Sequence, residues 1–366
     1  MQRNYIKELS NNQDFVENIP QENKVPIFTE KKKKANYLAL IENELGNHAK
    51  AERLEICGTS LVFEKTEESM RLVFGNFCRV RLCPMCSWRR SAKLQAQMYK
   101  ISEYLGDEYG FIFLTLTVKN CEPAELRETL QTLQYAWQKF KNYKPIKKIM
   151  KGYYRGIEVT RDGDQKITRR RYRQAKLFYD RHGIQVGDDN PNYNTYHPHY
   201  HIVLAVPRSY FTSRDYIRKE TFREIWQNCL QVDYAVQIDV RAVRPKNGGD
   251  EGLTAAVNEV TKYSIKDTDY LTGELAEDRE VVRDLERELH DLRFVSLGGV
   301  FRKAHAALKL TDYDDPEADD ATFNVDASKL VAFIWQTGVT RYDESAPYLQ
   351  HYLGYEAARL TAKNQS

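Results

Sequence analysis

Three histidines stand at alternate positions in the segment His197-Pro198-His199-Tyr200-His201, directly before the apolar run IVLAV. Alternate side chains of a β-strand share a face, so His199 and His201 are expected to point together, as a metal pair requires. His197 joins them if the strand starts early. Three of the chain's eight histidines at this spacing favour a divalent-metal site over packing or hydrogen bonding. Two imidazoles and a carboxylate together suit the binding of a transition metal. They also suit a Mg or Mn ion that holds phosphate oxygens.

A carboxylate that could complete this site is Glu158, in the segment GIEVT between Ile157 and Val159. Burying an unpaired charge on a core strand is costly, so Glu158 needs a partner. If its strand lies beside the histidine strand, Glu158 is expected to be a third ligand. A partly exposed position at a sheet edge is the alternative.

A third group of reactive side chains lies in Glu259-Val260-Thr261-Lys262-Tyr263-Ser264-Ile265-Lys266. On a helix, Glu259, Tyr263 and Lys266 would share one face. A tyrosine phenol can attack phosphorus, a carboxylate can activate water, and a lysine can hold a phosphate. Taken alone, the motif is weak, because the chain has 24 tyrosines and most tyrosines serve packing.

Four of the six cysteines fall within a short segment as Cys57, Cys78, Cys83 and Cys86. The Cys83-Pro-Met-Cys86 spacing is typical of a zinc knuckle, and the other two could complete a tetrahedral structural site, Cys57 being the less secure ligand. A redox pair is the alternative, but the thioredoxin context of strand and helix is missing.

The elements that must position these groups can be read from periodicity. Strands are expected over residues 111–118, 152–160, 197–206 and 235–243, and helices over residues 126–143, 215–230 and 253–271. An arginine-rich excursion, hairpin or loop, separates the second and third strands at residues 161–196. This order predicts an α+β fold with a sheet and helices packed on one face. An acidic loop and an apolar helix around residues 329–335 are expected further on.

The charge distribution is uneven. Residues 271–366 hold 11 Lys/Arg against 18 Asp/Glu, and residues 139–176 hold 14 basic against 3 acidic residues. A basic body suits a polyanion such as nucleic acid, although a solvated charged surface is the alternative. The sequence shows no apolar run of membrane-spanning length and no signal-peptide pattern, so a cytoplasmic protein without membrane contact is expected.

Taken in order, the motifs resemble the HUH endonucleases of plasmid rolling-circle replication, specifically the single-tyrosine initiator (Rep) family of small bacterial plasmids. FLTLTV is similar to the first motif, HPHYH to the metal-binding second motif and EVTKYSIK to the third; the cysteine knuckle with WRRS, and the segments IEVT, DVRAV and LGGVFR, are also similar to this family. The likeness covers roughly residues 55–305. The arginine-rich excursion at residues 161–196 is longer than the corresponding segment of the family. Residues beyond Lys309 match no part of the family pattern.

The resemblance implies a five-stranded antiparallel HUH palm, DNA nicking and a divalent metal. His199-Tyr200-His201 would be the metal-binding HUH, Tyr263 the nucleophile and Glu259 the water-activating residue. Plasmid origin DNA, single-stranded or as a hairpin, would be the substrate, and a host helicase and DNA polymerase the partners. Phosphate contacts are expected from basic residues of the charged stretch, namely Lys147, Lys148, Arg169, Arg170 and Arg171.

Two alternatives from other classes remain open at this point. A single-strand HUH transposase would use a second tyrosine, and Tyr270 stands seven residues after Tyr263. A non-catalytic, zinc-containing DNA-binding regulator would make the histidine and tyrosine motifs accidental. The expected domains are a flexible basic arm (1–50), a zinc-binding segment (51–95), the endonuclease core (96–271) and a mostly helical acidic region (272–366).

Overall fold

The computed structural model describes residues 21–67, 69–243, 251–261, 265–311 and 326–363. The described residues form two compact units, one from Met1–Lys100, Gly273–Arg279 and Lys309–Ser366, the other from Ile101–Thr272 and Glu280–Leu308. Each contains an antiparallel sheet and helices, so the combination of antiparallel sheet and helices expected of an α+β fold is found. In the part of the chain described, no helix has the length and apolarity needed to cross a bilayer.

The second unit is built on a five-stranded antiparallel sheet. Its strands in spatial order are β6 (Ile238–Val243), β3 (Tyr109–Thr117), β5 (Thr195–Pro207), β4 (Gly152–Asp162) and β7 (Val295–Gly299). Four of them overlap the strands predicted from alternating and β-branched sequence, although β6 begins three residues later than predicted, and β7 was not predicted. The histidine strand β5 lies at the centre, where both its edges are hydrogen-bonded.

Register determines which side chains share a face. Glu158 lies directly opposite His199, and Thr115 lies opposite His201, so these four residues share one face of the sheet. Helix Glu251–Val260 packs against strands β4, β5 and β6.

The opposite face carries Tyr200, whose ring packs against Trp137 of helix Leu126–Asn142. Phe140 of that helix packs against Trp226 of helix Lys219–Leu230. The expectation that helices cover one face is therefore wrong, because both faces of the central strands carry apolar residues that must be buried. The remaining helices described within the second unit are Lys144–Ile149, Arg169–Gln174, Lys176–Arg181 and Val300–Ala307.

The excursion between β4 and β5 is a folded insertion rather than a simple hairpin. Two short helices, Arg169–Gln174 and Lys176–Arg181, follow the end of β4. Asp162 of β4 anchors the insertion, since its carboxylate accepts hydrogen bonds from Arg171 and, at 2.7 Å, from Asn190.

A second antiparallel sheet forms in the first unit, in the order β2 (Met70–Gly75), β1 (Ser60–Lys65), β8 (Leu330–Gln336) and β9 (Arg341–Glu344). The helix expected over residues 329–335 is thus a strand. A short apolar run does not distinguish helix from strand by period, and pairing with β1 decides the outcome here. Helix Ala346–Lys363 follows β9.

The N-terminal segment also departs from expectation. Instead of a flexible arm, residues Gln21–Glu44 form a helix, followed by helix His48–Ile56. Lys32, in the middle of the basic run, is fully buried. Helices Pro84–Leu105 and Leu275–Leu289 complete the described helices, each with residues in both units.

Candidate functional site: two clusters of metal-binding side chains

The first cluster joins Glu158, His199 and His201 and lies on the face of the five-stranded sheet that helix Glu251–Val260 packs against. The two Nε2 atoms of the histidines lie 3.2 Å apart, and Glu158 Oε2 lies 2.9 Å from His201 Nε2 and 3.4 Å from His199 Nε2. All three side chains are buried. Two imidazole nitrogens and a carboxylate oxygen that converge in this way can bind one divalent ion.

The orientation of both rings is fixed by their other nitrogen atoms. His201 Nδ1 lies 3.2 Å from Thr115 Oγ1, and His199 Nδ1 lies 3.0 Å from the carbonyl oxygen of His197. Phe113 stacks on the His201 ring. Hydrogen bonds of this kind select the tautomer that leaves Nε2 free to bind a metal.

His197 is not part of the converging group. Its ring stacks against that of His199, with centroids 5.1 Å apart. Burial, together with the neighbouring His199, lowers the pKa of His197 to about 4. The structure therefore brings His199, His201 and Glu158 together and leaves His197 as a neighbour.

Lys266 adds a positive charge beside the carboxylate, with its Nζ 3.0 Å from Glu158 Oε1. Burial opposes ionisation of Glu158, but the adjacent imidazoles of His199 and His201 and the charge of Lys266 hold its pKa well below the usual range. Burial likewise opposes the charge on Lys266, but Glu158 outweighs it and raises the lysine's pKa. The carboxylate and the ammonium are thus both charged.

The expected helix over residues 253–271 is shorter in the structure. It ends at Val260, and a 3₁₀ turn follows at Asp267–Asp269. Glu259 Oε1 lies 3.7 Å from His201 Nε2, so this residue of the third motif reaches the cluster. Tyr263, the predicted nucleophile, lies outside the described residues.

Tyr270 is not on that helix. It follows the 3₁₀ turn, and its side chain is 1% exposed. A buried phenol cannot approach a DNA phosphate without rearrangement, which weighs against the two-tyrosine alternative.

The second cluster, in the first unit, joins the four cysteines. Cys57 Sγ lies 3.6 Å from Cys83 Sγ and 3.7 Å from Cys86 Sγ, and Cys78 Sγ lies 3.6 Å from Cys86 Sγ. A tetrahedral zinc ion with Zn–S bonds of about 2.3 Å places its sulfurs about 3.8 Å apart. The four thiols, all buried and none in a disulfide, fit a structural zinc ion.

Local backbone geometry supports this second cluster. Cys57 ends helix His48–Ile56, and Cys86 lies in the first turn of helix Pro84–Leu105. Backbone N–H groups donate to sulfur, from Cys78 to Cys57 Sγ at 3.4 Å and from Arg79 to Cys86 Sγ at 3.3 Å. Such donors stabilise thiolates, the form that binds zinc.

The basic residues predicted to contact DNA lie on two elements of the second unit. Lys147 and Lys148 are exposed on helix Lys144–Ile149, where Lys148 Nζ lies 2.6 Å from Asp215 Oδ1. Arg169, Arg170 and Arg171 begin the first helix of the insertion, where Arg171 pairs with Asp162.

Sequence reasoning missed three residues that organise the first cluster. Thr115 and Phe113 hold the His201 ring, and Gly156 lies opposite His201 on β4. The alternation of FLTLTV could have indicated Thr115, since it shares a face with Phe113. Nothing local in the sequence marks Gly156.

The fold and its two clusters define a mixed α/β protein with two separate groups of side chains that could each hold a metal ion. Residues 69–343 match the Rep_1 family, described as a replication protein. The chain is 30% identical over 342 residues to a "Protein rep" of Bacillus amyloliquefaciens, covering 85% of this chain and 92% of that protein. It is 33% identical to a "Protein rep" of Lactiplantibacillus plantarum, covering 77% of this chain and 80% of the relative.

A "Protein rep" of Streptococcus pneumoniae is 32% identical over 316 residues, covering 83% of this chain and 88% of the relative. No solved structure matches the chain. The chain belongs to the Rep_1 replication protein family. The recognition of a plasmid Rep protein from its motifs is thereby confirmed at the level of the family.

Proposed function

We propose that the protein initiates rolling-circle replication by nicking one DNA strand at the double-strand origin of a plasmid. The observation that carries the proposal is the convergence of His199, His201 and Glu158, with Glu259 of the tyrosine motif 3.7 Å from His201. Family membership supports a role in plasmid replication. The cluster and the adjoining motif supply the groups that phosphodiester transfer needs.

His199, His201 and Glu158 would hold a divalent ion, Mg or Mn, through two nitrogens and one oxygen. When bound, such an ion polarises a phosphate as a Lewis acid. The phenol oxygen of Tyr263 then attacks the scissile phosphorus, and the bond from phosphorus to the 3′ oxygen breaks. The 3′ oxygen takes up a proton, and the 5′ phosphate stays joined to the tyrosine.

The freed 3′-OH would prime a host polymerase, with a host helicase separating the strands. Lys266 is better suited to stabilise negative charge than to remove the phenol proton, because Glu158 raises its pKa. After one round, Glu259 would take a proton from water, and the resulting hydroxide-like oxygen would attack the phosphorus of a second phosphodiester. The bond from that phosphorus to its 3′ oxygen breaks, which leaves a 3′-OH and a 5′ phosphate and ends synthesis. In this mechanism Tyr263 serves strand transfer and Glu259 serves hydrolysis.

The substrate must present a single strand to the cluster, which an extruded hairpin at the origin supplies. Exposed Lys147, Arg169 and Arg170 would contact backbone phosphates, which makes binding sensitive to salt. Backbone contacts position DNA without reading its sequence.

The direct test incubates the protein with single-stranded origin DNA labelled at its 3′ end, in the presence of Mn²⁺. A denaturing gel should show labelled DNA joined to protein, and Tyr263→Phe should abolish that adduct while DNA affinity is retained. A regulator without catalysis gives no adduct with the natural protein. An adduct that persists in Tyr263→Phe would show that another residue is the nucleophile.

A further inference from the structure

A polar cavity of about 350 Å³ lies at the edge of the insertion in the second unit. Its lining includes three arginines and three residues from the segment after Lys266, namely Arg161, Arg170, Arg171, Thr268, Asp269 and Thr272. The volume lies in the range of small-ligand sites. Neither the metal clusters nor the tyrosine motif uses these side chains.

Two segments of the chain connect the cavity with the His–His–Glu cluster. Arg161 follows Glu158 by three residues on β4, about 10 Å along the strand, and this odd spacing puts its side chain on the other face of the sheet from Glu158. Asp269 follows Lys266 by three residues, and Lys266 binds Glu158. Asp269 also accepts a hydrogen bond from the backbone N–H of Arg161, which joins the segment after Lys266 to strand β4.

The arginines differ in how firmly they are held. Arg161 donates to Asn194 Oδ1 from Nε at 3.1 Å and Nη2 at 2.9 Å, and Arg171 pairs with Asp162. Arg170 is exposed, and among the described residues its guanidinium has no ion-pair or hydrogen-bond partner. Fixed arginines shape the wall, while Arg170 is available for an anion.

The side of the cavity formed by Thr268, Asp269 and Thr272 offers hydrogen-bonding groups for a polar ligand. Asp269 Oδ2 is buried and has no hydrogen-bond partner among the described residues. The hydroxyl-bearing Thr268 and Thr272 are exposed beside it. An acceptor on one wall and a free guanidinium on the other match a ligand with both a hydrogen-bond donor and a phosphate.

We infer that this cavity binds one nucleotide of the single-stranded substrate, next to or next but one to the cleaved phosphate. Arg170 contacts the phosphate, and Asp269 accepts a hydrogen bond from the base. The preferred bases are those with an exocyclic amine, because a carboxylate can accept from such a group, as it does from cytosine N4, whereas thymine offers none. The inference rests on the proposed function and adds a specificity site to it.

The test is a scan of origin oligonucleotides, each with one abasic site, by fluorescence anisotropy without added divalent metal. One position close to the nick should lose affinity about tenfold with the natural protein, as expected for a read base. In Asp269→Ala, the same abasic site should cause no further loss. Replacing that base by thymine should weaken binding to the natural protein to a similar extent.

Arg170→Ala provides a second variant that does not disturb folding, because its side chain is exposed and unpaired. It should weaken binding to every oligonucleotide and lower the slope of log affinity against log salt by about one. Arg173→Ala is the matched control, since Arg173 is an exposed arginine of the same helix outside the cavity lining. It should leave the abasic pattern intact.

Adduct formation by the natural protein with Mn²⁺ is measured beside the scan, so that two failures can be told apart. A flat abasic scan together with a normal adduct overturns the nucleotide site alone. The nucleotide site is also overturned if the abasic position still lowers DNA affinity in both Asp269→Ala and Arg170→Ala, because another part of the protein then contacts that base. Absence of the adduct overturns the proposed nicking activity.

Discussion

Gly156 and Val260 set the distance between the central sheet and the helix of the tyrosine motif. A Cβ atom on Gly156 would lie 2.5 Å from the carbonyl oxygen of Val260, closer than side-chain carbons approach backbone oxygens. Only glycine lets the end of helix Glu251–Val260 come this near to β4. Since Glu259 precedes Val260, this contact also determines how close Glu259 lies to His201.

Gly156→Ala should therefore displace the helix end and lower the nicking rate at least tenfold, with a loss of about 1–3 kcal/mol in stability from overpacking. Manganese affinity, measured by calorimetry, should change little, because the three ligand side chains come from β4 and β5. Gly338→Ala is a suitable control, because a Cβ there meets no atom within 4 Å. Normal nicking by Gly156→Ala would show that the helix position is not critical.

Substitution of His199 or His201 is expected to have a larger effect than substitution of His197. His199→Ala and His201→Ala each remove a converging nitrogen and should abolish manganese binding and nicking, while the far-ultraviolet circular dichroism stays native. His197→Ala removes only a ring stacked on His199, so a partial loss is expected. Equal losses of metal affinity in all three variants would make His197 a ligand.

Lys32 is expected to stabilise the cysteine cluster. Its Nζ donates to the carbonyl oxygens of Leu54, at 3.4 Å, and Glu55, at the end of the helix that leads into Cys57. Burial lowers the pKa of Lys32, and the cysteine sulfurs, Cys57 foremost, oppose that shift. If the cysteines hold zinc as thiolates, the buried ammonium of Lys32 would offset part of their negative charge.

Lys32→Met keeps most of the apolar stem but removes the ammonium that donates to the Glu55 carbonyl, which costs about 2 kcal/mol; the Leu54 carbonyl keeps the backbone N–H of Cys57 as a donor. Zinc transfer to a colorimetric chelator should become faster, and the melting temperature should fall. Lys33→Met, an exposed neighbour on the same helix, is the control and should change neither measurement. Native mass spectrometry should find one zinc ion in the natural protein; a metal-free native protein would refute the structural-zinc proposal.

Asp269 should make stability depend on pH. Burial raises its pKa to about 6, against the opposing charge of Lys266, from an ordinary value of 3.8. The folded state therefore takes up a proton between these values, and this contribution to stability is lost as pH rises through about 6. Asp269→Asn cannot ionise, so its free energy of unfolding relative to the natural protein should increase between pH 5 and pH 7.5.

Urea unfolding at several pH values checks this expectation, with Thr272→Val as a cavity variant that carries no titratable group. For Thr272→Val the difference from the natural protein should stay constant over the same range. A constant difference for Asp269→Asn as well would place its pKa near the ordinary value.

Local sequence pattern was sufficient for four of the five strands of the central sheet, all except β7, and for the metal-binding side chains that converge on one of its faces. Glu158, His199 and His201 could be related because strand alternation fixes faces and only the pairing of β4 with β5 had to be assumed. The second sheet could not be predicted, because β1 pairs with β8 across some 265 residues of chain. Nothing in the sequence of either strand indicates that the other is its partner. Burial of Lys32 was equally hidden, since a run of four lysines is typical of a solvated segment.

Glu259→Gln is expected to separate the two chemical steps, transfer to Tyr263 and hydrolysis by water. Glu259→Gln keeps the shape and hydrogen-bonding capacity of the side chain but cannot take a proton from water. Attack by the Tyr263 phenol requires no water, so the first nick and its covalent adduct should persist. Termination should slow by about 10²–10⁴-fold, the usual contribution of a general base. Denaturing gels should then show accumulated adduct and multimeric single strands.

The position of Glu259 makes the opposite outcome equally informative. Its Oε1 atom lies 3.7 Å from His201 Nε2, near enough that a small movement would bring it to an ion held by the histidines. If Glu259→Gln abolishes the first nick and weakens manganese binding, Glu259 is a fourth ligand. If the first nick is lost while manganese binding is unchanged, Glu259 is the base for Tyr263. Only persistence of the first nick with failed termination supports the assignment of Glu259 to water.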